Sequence, residues 1–345
     1  MVPSFFCIHP IEYTFGKRGD SIKTPVSRVG NKTPILHIIY TLFPKEYKRF
    51  IDVFGGSGSV LLGKPRVDAF EVYNDYDKDL YNLFRCMKER TLAVIRELGF
   101  MTLNSRDEFN AIVRYFRNMK FDDEYMNEEQ ELAQIMLENP KADELIEIMS
   151  GLAKDYDVRR AAMFLKLLRY SYASNGKSYA SQPFDIRKLF RLIGDLQDRM
   201  ANVVVENQDF GTLIRHYDRK DSLFYCDPPY YSSEDMYSVE FTWDDHVRLC
   251  NTLKDIKGKF LLSYNDCSEI RELYQDFNIF DFSRLHSMAQ RTHAGAMFKE
   301  LLIANYDFYE RIRSRPLQLN LFEKFDETDE NKLKECILTC KAAQW

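Results

Sequence analysis

The residues best suited to chemistry in this chain form one corner, Asp227-Pro228-Pro229-Tyr230, directly after the apolar run Ser222-Leu223-Phe224-Tyr225-Cys226. The run reads as a strand. Two consecutive prolines withdraw two backbone donors and fix φ, so the strand cannot continue through them. What remains at its C-terminal end is a rigid turn presenting a carboxylate, the Pro228 carbonyl and an aromatic ring. Two acceptors and a π-face suit a planar ring that bears an amino group. A stiff surface turn with Tyr230 packed beneath it would use the same residues. The aromatic fourth position, and a glycine turn and an acid upstream, favour function.

That glycine turn is Gly56-Ser57-Gly58, after the short apolar run Phe50–Phe54 and before Val60-Leu61-Leu62. Glycines there let the backbone approach a ligand closely and turn into a helix. The dinucleotide fingerprint GxGxxG needs a third glycine where Leu61 stands, which disfavours a nicotinamide cofactor. Asp75 lies 19 residues beyond Gly56, at the end of the next strand. An acid at that spacing accepts hydrogen bonds from ribose hydroxyls, so an adenosine-containing cofactor fits. The turn by itself fits a purely structural role equally well.

Holding these residues together requires alternating strands and helices. Strands are expected at Phe50–Phe54, Val67–Tyr73, Asn202–Glu206, Ser222–Cys226, Lys259–Ser263, Phe277–Phe282 and Glu300–Tyr306. A helix starts at Thr242, whose hydroxyl can cap it with Asp245 three residues on, and ends at Gly258. Seven strands interleaved with helices imply an α/β, Rossmann-like doubly wound sheet, with a helical block inserted after the second strand. Beyond 310 the chain is a polar, acidic tail.

Composition narrows the classes. The 345 residues are 45% apolar and 29% charged, an ordinary globular balance that excludes a wholly disordered chain. No run approaches the ~20 apolar residues of a membrane span, and the N-terminus is a poor secretory signal. Seven scattered cysteines without CxxC and six histidines without ligand spacing argue against a disulfide scaffold and a zinc site. A reduced, cytoplasmic protein without bound metal is expected. The net charge of −5 hides a pattern: residues 1–50 hold eight Lys/Arg against three Asp/Glu, 101–150 five against twelve, and 151–200 ten against five. Basic blocks of this kind suit an anionic partner, although solvated helix faces fit charge alone.

Seven segments occur in a telling order: Arg28-Val29-Gly30-Asn31-Lys32-Thr33-Pro34, Asp52–Gly58, Asn74-Asp75, Asn207–Phe210, Asp227–Tyr230, Leu262–Asp266 and Lys299–Tyr306. In that order the chain resembles the Dam-like DNA adenine-N6 methyltransferases over most of residues 25–306. Val29 and Asn31 depart from the usual aromatic-Gly-Gly-Lys, and Val53 stands where proline is commoner. The resemblance implies a seven-stranded methyltransferase sheet, split between 1–100 and 200–310, with a mainly helical target-recognition insertion at 101–199 and a tail at 311–345. It implies S-adenosylmethionine held by Lys32, Asp52, Phe54, Gly56, Ser57, Gly58, Asp75, Asp209, Phe210 and Asp227. It also implies an adenine extruded from double-stranded DNA onto Asp227, Pro228 and Tyr230.

The segment Arg169–Lys177 is similar to the one that leads into that family's DNA-contacting hairpin, and Asn175-Gly176 is a tight-turn signal. A helix over Ile186–Arg199 gathers Ile186, Leu189, Phe190, Ile193 and Leu196 on one face and turns Arg187, Lys188 and Arg191 elsewhere. Arg169, Asn175, Lys177, Arg187, Lys188 and Arg191 are therefore the candidate DNA contacts. In the tail, Gln318–Phe322 resembles the peptide by which bacterial replication and repair proteins dock on the sliding clamp; a hydrophobic strap folding back on the domain fits those five residues better. Cytosine-N4 methylation is an alternative, against which Asp227 stands, since serine is common there in that class. A DNA-binding specificity or regulatory subunit without catalysis is another, against which the complete corner, glycine turn and Asp75 stand. A restriction-modification or an orphan role, in a bacterial or phage-infected cell, stays open.

Overall fold

The computed structural model describes residues 22–28, 30–65, 68–99, 105–118, several positions between 131 and 143, 157–171, 178–180, 185–232, 240–285, 297–309, 334 and 338. Seven strands form one sheet: β1 (Arg49–Asp52), β2 (Phe70–Asn74), β3 (Val203–Glu206), β4 (Ser222–Cys226), β5 (Lys259–Asn265), β6 (Asn278–Leu285) and β7 (Met297–Ala304). Their order across the sheet is β3-β2-β1-β4-β5-β7-β6. The first five are parallel, β7 runs antiparallel to β5, and β6 antiparallel to β7. The expected sheet is present, with one strand, β7, reversed. The expected β2 began at Val67, which lies outside the described residues. β7 starts three residues before Glu300, because Met297–Lys299 still pair with β6.

Successive residues along the strands alternate between two apolar layers, which is why the sheet is buried on both faces. Phe50, Tyr73, Leu223 and Leu261 face one layer. Ile51, Val72, Phe224, Phe260 and Leu262 face the other. The first layer is completed by helices α1 (Leu36–Leu42), α2 (Ser59–Gly63), α3 (Lys78–Glu89), α4 (Thr91–Leu98), α6 (Val158–Tyr170) and α7 (Lys188–Met200). The second is completed by α8 (Phe210–Tyr217), α9 (Trp243–Lys254) and α10 (Ser268–Leu273). A further helix, α5 (Arg106–Asn118), reaches the first layer through Phe109. Thr242 and Asp245 form the expected capping box of α9. That helix stops at Lys254, four residues before Gly258. α7 begins at Lys188, two residues later than its apolar periodicity suggested; Ile186 and Arg187 form a turn before it, with Lys188 N–H donating to the Asp185 carbonyl and Leu189 N–H to that of Ile186.

Beneath the first layer sits a buried charge cluster. Glu71 receives Arg199 Nη1 at 2.6 Å and Nη2 at 3.0 Å, and Lys64 Nζ lies 2.7 Å away. Arg199 also donates to the Leu61 carbonyl at 2.7 Å. Burial opposes ionisation of Glu71, yet the two cations hold its carboxyl below its ordinary range. The cluster ties the end of α2, the start of β2 and the last turn of α7 together. Glu71→Ala leaves two buried cations without their anion and is expected to cost about 3–5 kcal/mol. Urea unfolding monitored by circular dichroism measures it; a loss under about 1 kcal/mol would contradict the clamp.

Candidate active site

The sheet order reverses between β1 and β4, because the chain leaves β1 toward β2 and β3 and returns on β1's other side as β4. A crevice outside the carboxyl ends of the strands at such a point is where open α/β sheets bind ligands. A cleft of about 300 Å³ lies there, and Asp52, Gly56, Asp75 and Asp227 all line it.

The glycine turn is shaped by three contacts. Gly56 has φ +53°, a conformation side chains rarely adopt. Its N–H donates to Asp75 Oδ2 at 2.8 Å, and its carbonyl accepts from the Tyr73 hydroxyl at 2.8 Å. Gly55 lies so close to Tyr73 that a Cβ there would stand 2.2 Å from the ring. Asn74 fastens the neighbouring strand ends, donating to the Val53 and Gln208 carbonyls and accepting from the Gln208 N–H. Asp75 Oδ1 accepts from the Asp77 N–H. Burial raises the Asp75 carboxyl to about 6, with Asp77 adding to the rise and Arg28 working against it. Asp52 is 1% exposed, and its Oδ2 has no hydrogen-bond partner. Burial, then Asp227, then Asp75 push its carboxyl well above the ordinary carboxylate range.

At the proline corner, Lys32 Nζ lies 2.8 Å from Asp227 Oδ1, 3.1 Å from the Gly30 carbonyl and 4.8 Å from the centre of the Tyr230 ring. Burial raises the Asp227 carboxyl to about 6; Lys32 opposes the rise, Glu300 adds to it and Arg284 opposes it. Tyr230 is 7% exposed, and its ring is parallel to that of Phe298, with centroids 6.3 Å apart.

The outer wall is aromatic. Phe54, Phe210 and Phe241 meet with centroids 5.7–5.9 Å apart. Arg248 lies over Phe210, 3.9 Å from its centre. Its guanidinium is bidentate to Asp209, at 2.9 and 2.8 Å, and reaches Asp245 at 3.0 Å. Asp209 also caps α8 by accepting from Gly211 and Thr212. Burial works against Asp209, but Arg248 and these amides hold it below its ordinary value.

Of the expected cofactor residues, Lys32, Asp52, Phe54, Gly56, Ser57, Asp75, Asp209, Phe210 and Asp227 line this one cleft. Gly58 sits just behind it, capping α2 at φ +69°. The expected DNA contacts are dispersed. Arg169 turns inward, its Nε donating to the Pro25 carbonyl at 2.8 Å. Arg187, Lys188 and Arg191 are exposed on and just before α7, with Arg187 paired to Asp185. Asn175, Lys177 and the Gln318–Phe322 peptide lie outside the described residues. Phe241 and Arg248 line the cleft without any sequence signal pointing to them, and Arg28, the head of the N-terminal segment, lines it as well. Among the described residues no group of three or more His, Cys, Asp or Glu side chains is placed to hold a metal ion, and no helix is long and apolar enough to cross a membrane.

A mixed seven-stranded sheet with this order is an α/β methyltransferase-like fold. The comparison with known proteins is narrower: residues 29–288 match the D12 class N6 adenine-specific DNA methyltransferases, and the chain belongs to that family. It is 25% identical over 297 residues to the type II methyltransferase M1.LlaDCHI of Lactococcus lactis subsp. cremoris, a match covering 80% of this chain and 93% of that one. It is 22% identical over 295 residues to the type II methyltransferase M.CviBI of Paramecium bursaria Chlorella virus NC1A, covering 83% and 100%.

The raised Asp227 carboxyl has a stability consequence. Its folded value of about 6 lies above the ordinary 3.8, so the folded chain holds that proton more tightly than the unfolded one. This contribution is fully present below about pH 4 and is lost as pH rises through about 6. Asp227→Asn has no such titration. Relative to the wild type, the variant is therefore expected to gain on the order of 2–3 kcal/mol between pH 4 and pH 7. Denaturant unfolding of both proteins across that range measures the gain, and a flat difference would refute it.

Proposed function

We propose that the cleft binds S-adenosylmethionine and that the Asp227–Tyr230 corner receives an adenine extruded from double-stranded DNA. The observation that carries this reading is the convergence of the glycine turn, Asp75 and Asp227 on one crevice at the switch point. The residues fit the group. A cationic sulfonium and ammonium suit a cleft floored by Asp52, whose Oδ2 lacks a partner, and by Asp75 and Asp227. The Gly56 backbone leaves room for close approach, the Phe54–Phe210–Phe241 wall suits a purine, and Lys32 and Arg28 supply counter-charge for a carboxylate. When bound, S-adenosylmethionine supplies an electrophilic methyl carbon on sulfur.

The chain's own residues do the rest. The Asp227 carboxylate and the Pro228 carbonyl each accept one N–H of the adenine amino group, aiming its nitrogen lone pair. Orientation of this kind is worth up to roughly 7–11 kcal/mol. Asp227 also stabilises the charge that develops on nitrogen, and the adjacent Lys32 keeps it ionised. Tyr230 stacks on the extruded base, offsetting part of the cost of unstacking by about 1–3 kcal/mol.

The segment 101–199 is assigned to target recognition, with the exposed Arg187, Lys188 and Arg191 holding phosphates. The names of the relatives favour a type II modification role; the cytoplasm of a bacterial or phage-infected cell is the location that fits DNA as the substrate.

Incubation with radiolabelled S-adenosylmethionine and unmethylated DNA, followed by sequencing of modified bases, tests the reading; it expects N6-methyladenine at one short sequence. Asp227→Ala is expected to abolish transfer while calorimetry still detects binding of S-adenosylhomocysteine. Loss of cofactor binding with normal turnover at saturation would contradict the assignment. In the wild type, single-turnover transfer should rise with pH through about 6, as Asp227 ionises. Arg187→Glu with Lys188→Glu should weaken DNA binding and flatten its salt dependence. Unchanged affinity would remove this helix from the interface.

A further inference from the structure

Behind the proline corner lies a group of polar side chains that the mechanism above does not use. β7 pairs with β5 and β6 so that Glu300 stands opposite Asn265 and Phe282, and Phe298 opposite Arg284. Directly opposed residues, and residues two apart on a strand, share a face. The pairing sets Asn265, Arg284 and Glu300 on one face at the rim of the sheet, while Phe298, opposite Arg284, packs with Tyr230 against the second layer.

Glu300 is 1% exposed in the otherwise apolar run Leu301–Ala304 that follows it. Its Oε1 accepts from Arg284 Nη2 at 2.8 Å, while its Oε2 is buried without a partner. Arg284 Nε is likewise buried and unpartnered, and so is Asn265 Oδ1. The Arg284 guanidinium lies over Phe298, 5.4 Å from the ring centre, and that ring is parallel to Tyr230. Buried polar groups are nearly always satisfied, and a cluster that leaves one donor and two acceptors unmet beside the corner points to a ligand.

If the adenine amino group is taken by Asp227 and Pro228, an inference that rests on the function proposed above, what remains unread on that base is its ring nitrogens. These are acceptors and need a donor. Of the three unmet atoms only Arg284 Nε is one. We propose that Arg284 donates its Nε–H to a ring nitrogen flanking the amino group of the extruded adenine, N1 or N7. Glu300 and Phe298 are the positioning residues that fix the guanidinium for that contact. The arrangement makes the pocket read the purine ring as well as its amino group, because a base without an acceptor at that place leaves a buried donor unpaired.

The test replaces the acceptor atom in the substrate. Duplexes carrying adenine, 1-deazaadenine or 7-deazaadenine at the methylated position are compared in single-turnover transfer by the wild type, Arg284→Met, Arg284→Lys and Glu300→Gln. The wild type should lose at least tenfold on one of the two analogues, which identifies the nitrogen read. Arg284→Met should be slowed by a similar factor on adenine and show no further loss on that analogue. Arg284→Lys keeps the charge but not the Nε–H; it should behave like the methionine variant and serves if that variant does not fold. Glu300→Gln should retain part of the discrimination. As a readout apart from transfer, 2-aminopurine at the target position should brighten less on binding Arg284→Met than on binding the wild type, with DNA affinity within about twofold. Wild-type rates equal on all three bases, or full discrimination kept by both Arg284 variants, would overturn the proposal and leave the methylation reading standing. Absence of wild-type transfer to any DNA would overturn that reading itself.

Discussion

Like charges are crowded at the mouth of the sheet. Asp52, Asp75 and Asp227 end or follow neighbouring strands and line one cleft, and each carries a carboxyl raised by burial. Such an arrangement opposes folding unless the carboxyls hold protons or meet cations and donors. The structure supplies these sparingly. Asp75 takes two backbone amides, Asp227 takes Lys32, and Asp52 keeps an oxygen with no partner. The shortfall is what makes the crevice suited to a positively charged ligand, and it is maintained by the framework rather than by the carboxylates themselves.

That framework is a set of short ties between strand ends. Asn74 joins the ends of β1 and β2 to the Gln208 backbone beyond β3. The Tyr73 hydroxyl holds the Gly56 carbonyl, and Lys32 brings the N-terminal segment onto the corner after β4. On the far side, Arg248 joins α8 to α9 through Asp209 and Asp245. A pair so placed ties the outer wall together, and any ligand base that seeks Asp209 must share it with a guanidinium already bound in two places.

Much of this was legible in the residues. The strand-ending prolines located Asp227, the glycine turn located the first crossover, and the 19-residue interval located Asp75. Seven strands were countable because each is a short apolar run bounded by polar or turn residues. What escaped were partnerships formed across long stretches of chain. Arg248 meets Asp209 across 39 residues, and Arg169 meets Pro25 across 144. Neither has a local periodicity to betray it, so nothing near Arg169 in sequence shows that its guanidinium reaches the Pro25 carbonyl. Glu300 did leave a trace: a carboxylate at the head of an apolar strand needs a buried partner. The reversal of β7 that supplies Arg284 could not be inferred from alternation alone.

That reversal has a wider meaning for how the molecule is assembled. Parallel strands can offer a rim only the residues at which they finish. A strand entered from the opposite direction offers those at which it starts, so Phe298 and Glu300 reach the same rim as Asp227 although they open an element instead of closing one. The rim beside Asp227 is thus built from the beginnings of strands as well as their ends, so two opposite chain directions contribute side chains to one place.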